Sequence, residues 1–88
     1  MDIGFTVRIF KEGGAFVAHV AQLDVSSCGD TEDQARRNIQ DAVAGFVAAA
    51  REMGTLTELL EEAGYRLEAG VWREPELVGV EYMSLRVA

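Results

Sequence analysis

The residues most capable of chemistry in this sequence are three carboxylates and one cysteine–histidine pair. Asp24, Asp30 and Glu32 could bind a divalent cation for nuclease chemistry if separate elements brought them around one ion. Asp30 and Glu32, however, stand where a helix is predicted to begin, which explains them without a metal. Cys28 and His19 could form a thiolate–imidazole pair, but nothing in the sequence orients the histidine, so a packed cysteine and a strand histidine are favoured. The sequence therefore predicts a protein that is not an enzyme, with no metal site and no cofactor, and a metal-dependent nuclease is the alternative.

Composition predicts one globular domain over residues 1–88. The chain is 49% hydrophobic and 26% charged, which is typical of a folded protein. A single cysteine excludes an internal disulfide framework, and no apolar run is long enough to cross a bilayer. The first residues lack the basic start of an export signal, so we expect a cytoplasmic protein that does not associate with membranes.

The charge of the chain restricts its partners. Fifteen acidic and eight basic side chains give a net charge of −7. Proteins that bind nucleic acid draw most of their affinity from neutralised phosphates, so direct binding to DNA or RNA is not expected. An acidic domain of this size is better suited to a basic partner protein.

The N-terminal third predicts a three-stranded antiparallel meander. Apolar residues alternate over 3–9, a turn-forming stretch follows at 11–14, and a second apolar run covers 15–21. A short third strand over 23–29 would complete the meander. The outward face of the second strand is a candidate homo-oligomer interface, and it would carry Val17, His19 and Ala21.

A long helix is predicted to begin at Gly29, Asp30 and Thr31. Thr31 and Gln34 have the spacing of a capping box, and Gly54 is a natural C-terminal stop. The helix-start residues are therefore structural rather than catalytic. The helix has one apolar stripe, formed by Ala35, Ile39, Ala42, Val43, Phe46, Val47, Ala50 and Met53.

A short second helix should follow, starting at Thr55 with a further capping-box spacing to Glu58 and ending at Gly64. This region is acidic, which indicates either a solvated face or a docking surface for a basic partner. The acidic residues proposed for partner binding are Glu58, Glu61, Glu62 and Glu68.

The C-terminal part returns to strand-like sequence. Residues 65–68 and 71–73 flank a plausible tight turn, Pro75 interrupts the pattern, and residues 77–87 predict a long final strand. Trp72 and Tyr82 are either core residues or anchors of a protein contact, and Trp72 is included in the predicted partner surface.

These elements together predict an α+β fold. Strands and helices are segregated along the chain rather than alternating. We expect an antiparallel sheet of three N-terminal strands plus a C-terminal strand or hairpin. One long helix and a short second helix would cover one face of this sheet.

An ordered set of motifs in the first half of the chain resembles the HicB family. These are the Gly-Gly-Ala-Phe-Val-Ala hairpin within 13–20, Leu23, the Gly-Asp-Thr helix start within 28–35, the Asn38-Ile39 pair and Ala42. The resemblance implies a degraded RNase H-like fold without nuclease activity. It also implies an antitoxin that binds and masks a small basic mRNA-cleaving toxin, HicA.

The second half departs from the pattern of those family members that carry a C-terminal DNA-binding segment. After Tyr65 the sequence is strand-like, with one proline and more acidic than basic residues. Two functions are therefore expected from the resemblance. One is an antitoxin for a HicA-like toxin, and the other is an orphan HicB-like oligomeric scaffold or regulatory module that has no toxin.

Overall fold

The structure, a computed structural model, describes residues 1–88 and has the predicted α+β class. Six strands form two three-stranded sheets, a long helix packs against one of them, and a short helix packs against the long helix. In chain order the elements are β1 (Asp2–Ile3), β2 (Arg8–Glu12), β3 (Ala15–Val20), β4 (Val25–Gly29), α1 (Glu32–Met53), α2 (Leu56–Glu62), β5 (Arg66–Glu68) and β6 (Val71–Arg73).

The first sheet is the predicted antiparallel meander, in the order β2-β3-β4. Its first hairpin turns through Gly13 and Gly14, and Gly13 has a φ of 59°, which glycine adopts without steric cost. Ala18 and Val20 face the helix and are fully buried, while Val17 and His19 on the opposite face are half-buried. The period-two pattern therefore predicted the buried face of this sheet correctly.

The second sheet corrects the prediction of a single antiparallel sheet. Its order is β1-β6-β5, and β1 pairs with β6 in parallel. The predicted first strand is divided into β1 and β2, and residues 4–7 between them are not assigned to a strand. The predicted β5–β6 hairpin is confirmed, and Ala69 and Gly70 at its turn both have positive φ, as a type I′ turn requires. Alternation shows which side of a strand is buried but not which strand pairs with it.

Helix α1 begins and ends where the sequence predicts. The Thr31 hydroxyl accepts a hydrogen bond from the Gln34 N–H at 3.0 Å, and the Gln34 side-chain oxygen accepts one from the Asp30 N–H at 2.8 Å. Gly54 closes the helix with a φ of 73°, and its N–H donates to the last carbonyls of α1. Its contacts with the meander bury Ile39, which forms the centre of the core.

The capping box predicted for the second helix is wrong. The Thr55 side chain makes no cap bond to α2. Instead, its N–H donates to the Ala50 carbonyl at 2.9 Å, and its hydroxyl lies 3.4 Å from the same oxygen. Thr55 therefore satisfies an unpaired carbonyl at the C-terminus of α1. Because α1 ends and α2 begins beside this residue, the same local sequence signal fits either helix end.

Trp72 lies in the core, which is one of the two alternatives that the sequence left open for it beside a partner contact. Only 5% of its surface is exposed, and its indole N–H donates to the Met1 sulfur at 3.0 Å. The buried residues are all apolar or aromatic: Ala18, Val20, Leu23, Ala35, Ile39, Val43, Ala50, Leu56, Leu60, Tyr65 and Trp72.

The final strand predicted over residues 77–87 is absent. Residues 74–88 have no helix or strand, and all from Pro75 onward are exposed. Pro75 lacks an N–H and interrupts the ladder directly after β6. None of the helices combines the length and apolar character required to traverse a lipid bilayer.

Candidate partner-binding surfaces

The first candidate surface is a groove between the C-terminal half of α1 and helix α2. The 22 residues of α1 extend about 33 Å, whereas the five- and six-residue strands below it extend only about 17–20 Å. The end of α1 therefore passes beyond the meander. Phe46 and Met53 of its apolar stripe line the groove from one side, and Leu59 of α2 lines it from the other.

Carboxylates stand along this groove. Glu58 and Glu62 are four residues apart on α2, so they lie on the same side of the helix. Neither forms an ion pair, and α2 carries no basic residue. The groove has a volume of about 450 Å³ and Met53 within it is 74% exposed. The groove thus has an apolar floor with unpaired carboxylates beside it. Such a surface is complementary to a partner segment that has both apolar and basic side chains.

The structure separates the other residues of the predicted acidic patch. Glu61 is exposed on α2 but does not line the groove. Glu68 lies on β5, where its carboxylate is 3.8 Å from the Arg73 guanidinium, so it is partly neutralised within the hairpin. The predicted patch is therefore reduced to α2, with Glu58 and Glu62 on the groove itself.

The second candidate surface is the outer face of the meander. The strand register places Phe10 opposite Val17, and Val17 opposite Cys28, which gives an apolar row across all three strands. Phe10 is 49% exposed and Cys28 is an exposed free thiol. His19 lies in the neighbouring row. Ala21 is exposed but follows the end of β3, so it belongs to the turn rather than to this row.

The groups considered for catalysis are not assembled. The His19 ring contacts the Asp24 carboxylate at 3.4 Å, and no hydrogen bond joins His19 to Cys28. Glu32 pairs with Arg36 at 3.1 Å, and no three His, Cys, Asp or Glu side chains lie close enough together to hold a metal ion.

Gly29 has a packing role that the sequence did not reveal. A Cβ atom at this position would lie 2.6 Å from the Gln34 Cβ and 2.7 Å from the Ala35 N. The end of β4 therefore crosses the start of α1 at a distance that only glycine permits. Nearby, the Asn38 side-chain amide donates to the Cys28 carbonyl at 2.7 Å and fastens the helix to the strand.

A cluster of polar groups joins the two sheets at their boundary. The Tyr65 hydroxyl donates to the Gly4 carbonyl at 2.8 Å, and the Glu74 carboxylate accepts hydrogen bonds from both the N–H and the hydroxyl of Thr6. Burial, with a smaller contribution from the Glu74 charge, raises the pKa of Tyr65 to about 12. The phenol is therefore a permanent hydrogen-bond donor at neutral pH and a structural group.

Similarity to known proteins assigns no function to this chain. No protein-family model matches the chain, and no curated protein or solved structure is significantly similar to it.

The groove could have been anticipated from lengths alone. The apolar stripe runs from Ala35 to Met53 in the sequence, and its central part, Ile39 to Phe46, is the part expected to lie on the sheet. A stripe longer than the strands beneath it must leave one end uncovered or contact another element. The partner of that end, α2, could not be placed from the sequence because short helices carry no signal for the angle at which they pack.

Proposed function

We propose that this chain is a HicB-like antitoxin, a non-enzymatic cytoplasmic protein that binds a small basic HicA-like ribonuclease and masks its active surface. The observation that carries the proposal is the acidic groove between α1 and α2. Its apolar residues offer area for burial, and its unpaired carboxylates offer charge complementary to a basic protein. The ordered motifs from Gly13 to Ala42, which resemble the HicB family, are the second support.

Binding would proceed by competition with RNA. A nuclease that grips RNA must present cationic groups to phosphates. The carboxylates of α2 pair with those cationic groups in place of RNA phosphates. The groove buries apolar side chains of the toxin and so slows dissociation. The net charge of −7 accelerates the encounter at low salt, and this acceleration falls as ions screen the pair.

The test is inhibition of RNA cleavage by the product of a neighbouring small basic reading frame. We expect stoichiometric inhibition by the chain and about fivefold to tenfold weaker binding by Glu58→Gln/Glu62→Gln, since two exposed charge contacts are lost together. The matched control has the same change in net charge on two exposed carboxylates that form no ion pair, Asp2→Asn/Asp41→Asn. If the control weakens binding equally, overall charge and not the groove is responsible.

The antitoxin proposal fails if no small basic protein is encoded nearby and none inhibited by the chain is found. The second candidate is an orphan HicB-like oligomeric scaffold or regulatory module. The apolar row Phe10–Val17–Cys28 on the outer sheet face favours it, because exposed apolar surface is commonly buried in oligomers. The neighbouring genes distinguish the two candidates, because an adjacent small basic reading frame is expected for an antitoxin and not for an orphan module.

A further inference from the structure

The C-terminal segment, residues 74–88, is the largest unpartnered feature of the molecule. Eleven large apolar side chains are exposed in the whole chain, and seven of them lie between Leu77 and Val87. Val78 is 92% exposed and Tyr82 is 94% exposed. The radius of gyration is 15.2 Å, whereas a compact chain of this length would have about 12 Å. This segment is rich in strand-forming residues and has no strand to pair with.

The point where the segment leaves the sheet is defined by hydrogen bonds. The Asp2 N–H donates to the Gly70 carbonyl and the Gly4 N–H donates to the Trp72 carbonyl at 2.9 Å, which are successive steps of the β1–β6 ladder. At the next step, the Thr6 N–H donates to the side-chain carboxylate of Glu74 instead of a backbone carbonyl. The carboxylate caps the ladder, and Pro75 follows it, so the chain passes Arg8 without continuing as a strand along β2.

An open sheet edge remains where the ladder stops. β2 pairs with β3 on one side only, since the meander order is β2-β3-β4. An exposed edge of unpaired backbone groups is a template for another strand. The edge also carries two of the eight cations of the chain, Arg8 and Lys11, and neither forms an ion pair.

The chemistry of the segment matches that edge. The segment carries one acidic and one basic side chain, Glu81 and Arg86, and β2 also carries both signs, with Glu12 beside its two cations. None of these side chains forms an ion pair, so each strand can place opposite charge against the other. Phe10 on β2 offers an apolar side chain to the segment's own apolar residues. Eleven extended residues reach about 36 Å, which is enough to cross from one molecule to the edge of a neighbour.

We propose that residues 77–87 form a β-strand on the open β2 edge of a second copy of this chain, with the two copies exchanging these segments. The occupant is a second copy because each molecule presents both the unpaired strand and the unpaired edge. A two-fold exchange satisfies both at once. With only eleven buried residues in one chain, the exchange also enlarges a small core. The inference concerns self-association alone and does not depend on a toxin.

The first experiment measures the mass of the full-length chain by sedimentation, without any partner. The wild-type chain should be a dimer. Val80→Pro/Ser84→Pro should raise the dimer dissociation constant about 100-fold, because proline cannot donate to a ladder. Val80→Thr/Ser84→Thr changes the same positions to a strand-forming residue and should dimerise. Since both positions are exposed in one chain, circular dichroism should show unchanged helix content in both variants.

The second experiment locates the contact. Dimers mixed from isotope-labelled and unlabelled chains should give intermolecular nuclear Overhauser effects between residues 8–12 and residues 77–87. A monomer at all concentrations would overturn the proposal, as would a dimer that survives the double proline variant. Intermolecular effects that join two C-terminal segments to each other, or that leave residues 8–12 out, would also overturn it.

Discussion

The meander with α1 and the C-terminal segment follow the same kind of sequence pattern with opposite results. In the first region, apolar residues at regular spacing meet a partner, so Ile39 and Val20 are fully buried. In the second, residues 77–87 are equally apolar and strand-forming, yet all are exposed. The difference teaches that periodicity describes what a segment can form. Whether it forms depends on an edge or face that accepts it.

The largest effect expected in the packed region is that of Ile39→Ala. Ile39 is fully buried between α1 and the meander, so truncation should cost about 2–5 kcal/mol of the free energy of unfolding. Chemical denaturation measures it. The neighbouring exposed position supplies the control, because Gln40→Ala should change stability by less than about 0.5 kcal/mol. Equal effects of the two substitutions would show that α1 is not packed as described.

The junction between the two sheets should weaken at high pH. The folded protein raises the pKa of Tyr65 to about 12, from 10 in a free phenol, so the unfolded chain loses its proton first. The stability that this phenol contributes is fully present below pH 10 and is lost between pH 10 and 12. The loss should be no more than about 3 kcal/mol, because solvent screens part of the interaction. Tyr65→Phe should lower stability at neutral pH but have a flatter pH profile, and an unchanged slope would contradict the assignment.

The close approach of β4 to α1 is tested by Gly29→Ala. The added Cβ would meet the Gln34 Cβ and the Ala35 N at under 3 Å, so backbone must move, and the cost should be about 1–3 kcal/mol. Gly14→Ala is the matched control, since its Cβ would meet nothing within 4 Å. Thermal unfolding of both variants separates local crowding from a general intolerance of alanine for glycine.

The start of α1 should contribute a smaller amount. Thr31→Ala removes the hydroxyl that accepts from the Gln34 N–H and should cost about 1 kcal/mol. Thr57→Ala removes a hydroxyl from an exposed position inside α2 and should be close to neutral. A comparison of their denaturation midpoints shows whether the cap, rather than threonine as such, is responsible.

The smallest effect should come from the C-terminal segment within one molecule. Removal of residues 77–88 should change the free energy of unfolding by less than about 0.5 kcal/mol at concentrations where the chain is monomeric, because this segment contributes no buried residue. Denaturation at several protein concentrations measures it. A loss above about 1 kcal/mol in dilute solution would show that the segment packs against its own chain.

Local signals were sufficient where they act over a few residues. The Thr31–Gln34 cap, the stop at Gly54 and the Ala69–Gly70 turn were all predicted and all occur, since each depends on neighbouring residues only. The same reasoning failed at Thr55, where one threonine was shared by two adjoining helix ends. It left Trp72 open between the core and a partner surface, because the burial of a large aromatic side chain depends on distant elements.

The candidate site was predicted only in part. The acidic character of α2 is plain in the sequence, but Glu68 was grouped with it although it lies on β5 beside Arg73. The apolar groove beside Glu58 and Glu62 depends on the packing of α2 against the end of α1. The sequence shows the charges of a surface, whereas its shape follows from the angles between elements.

The sequence by itself determined the α+β class, the ends of α1, the buried face of the meander and the strongly acidic charge. These follow from side-chain type and spacing, which act through sterics and hydrogen bonds within a few residues. Only the tertiary structure decided that β1 pairs in parallel with β6, that Gly29 lies against α1, and that the chain leaves the sheet at Glu74. Each of these depends on residues distant in sequence meeting in space, and a one-dimensional pattern carries no record of which edges meet.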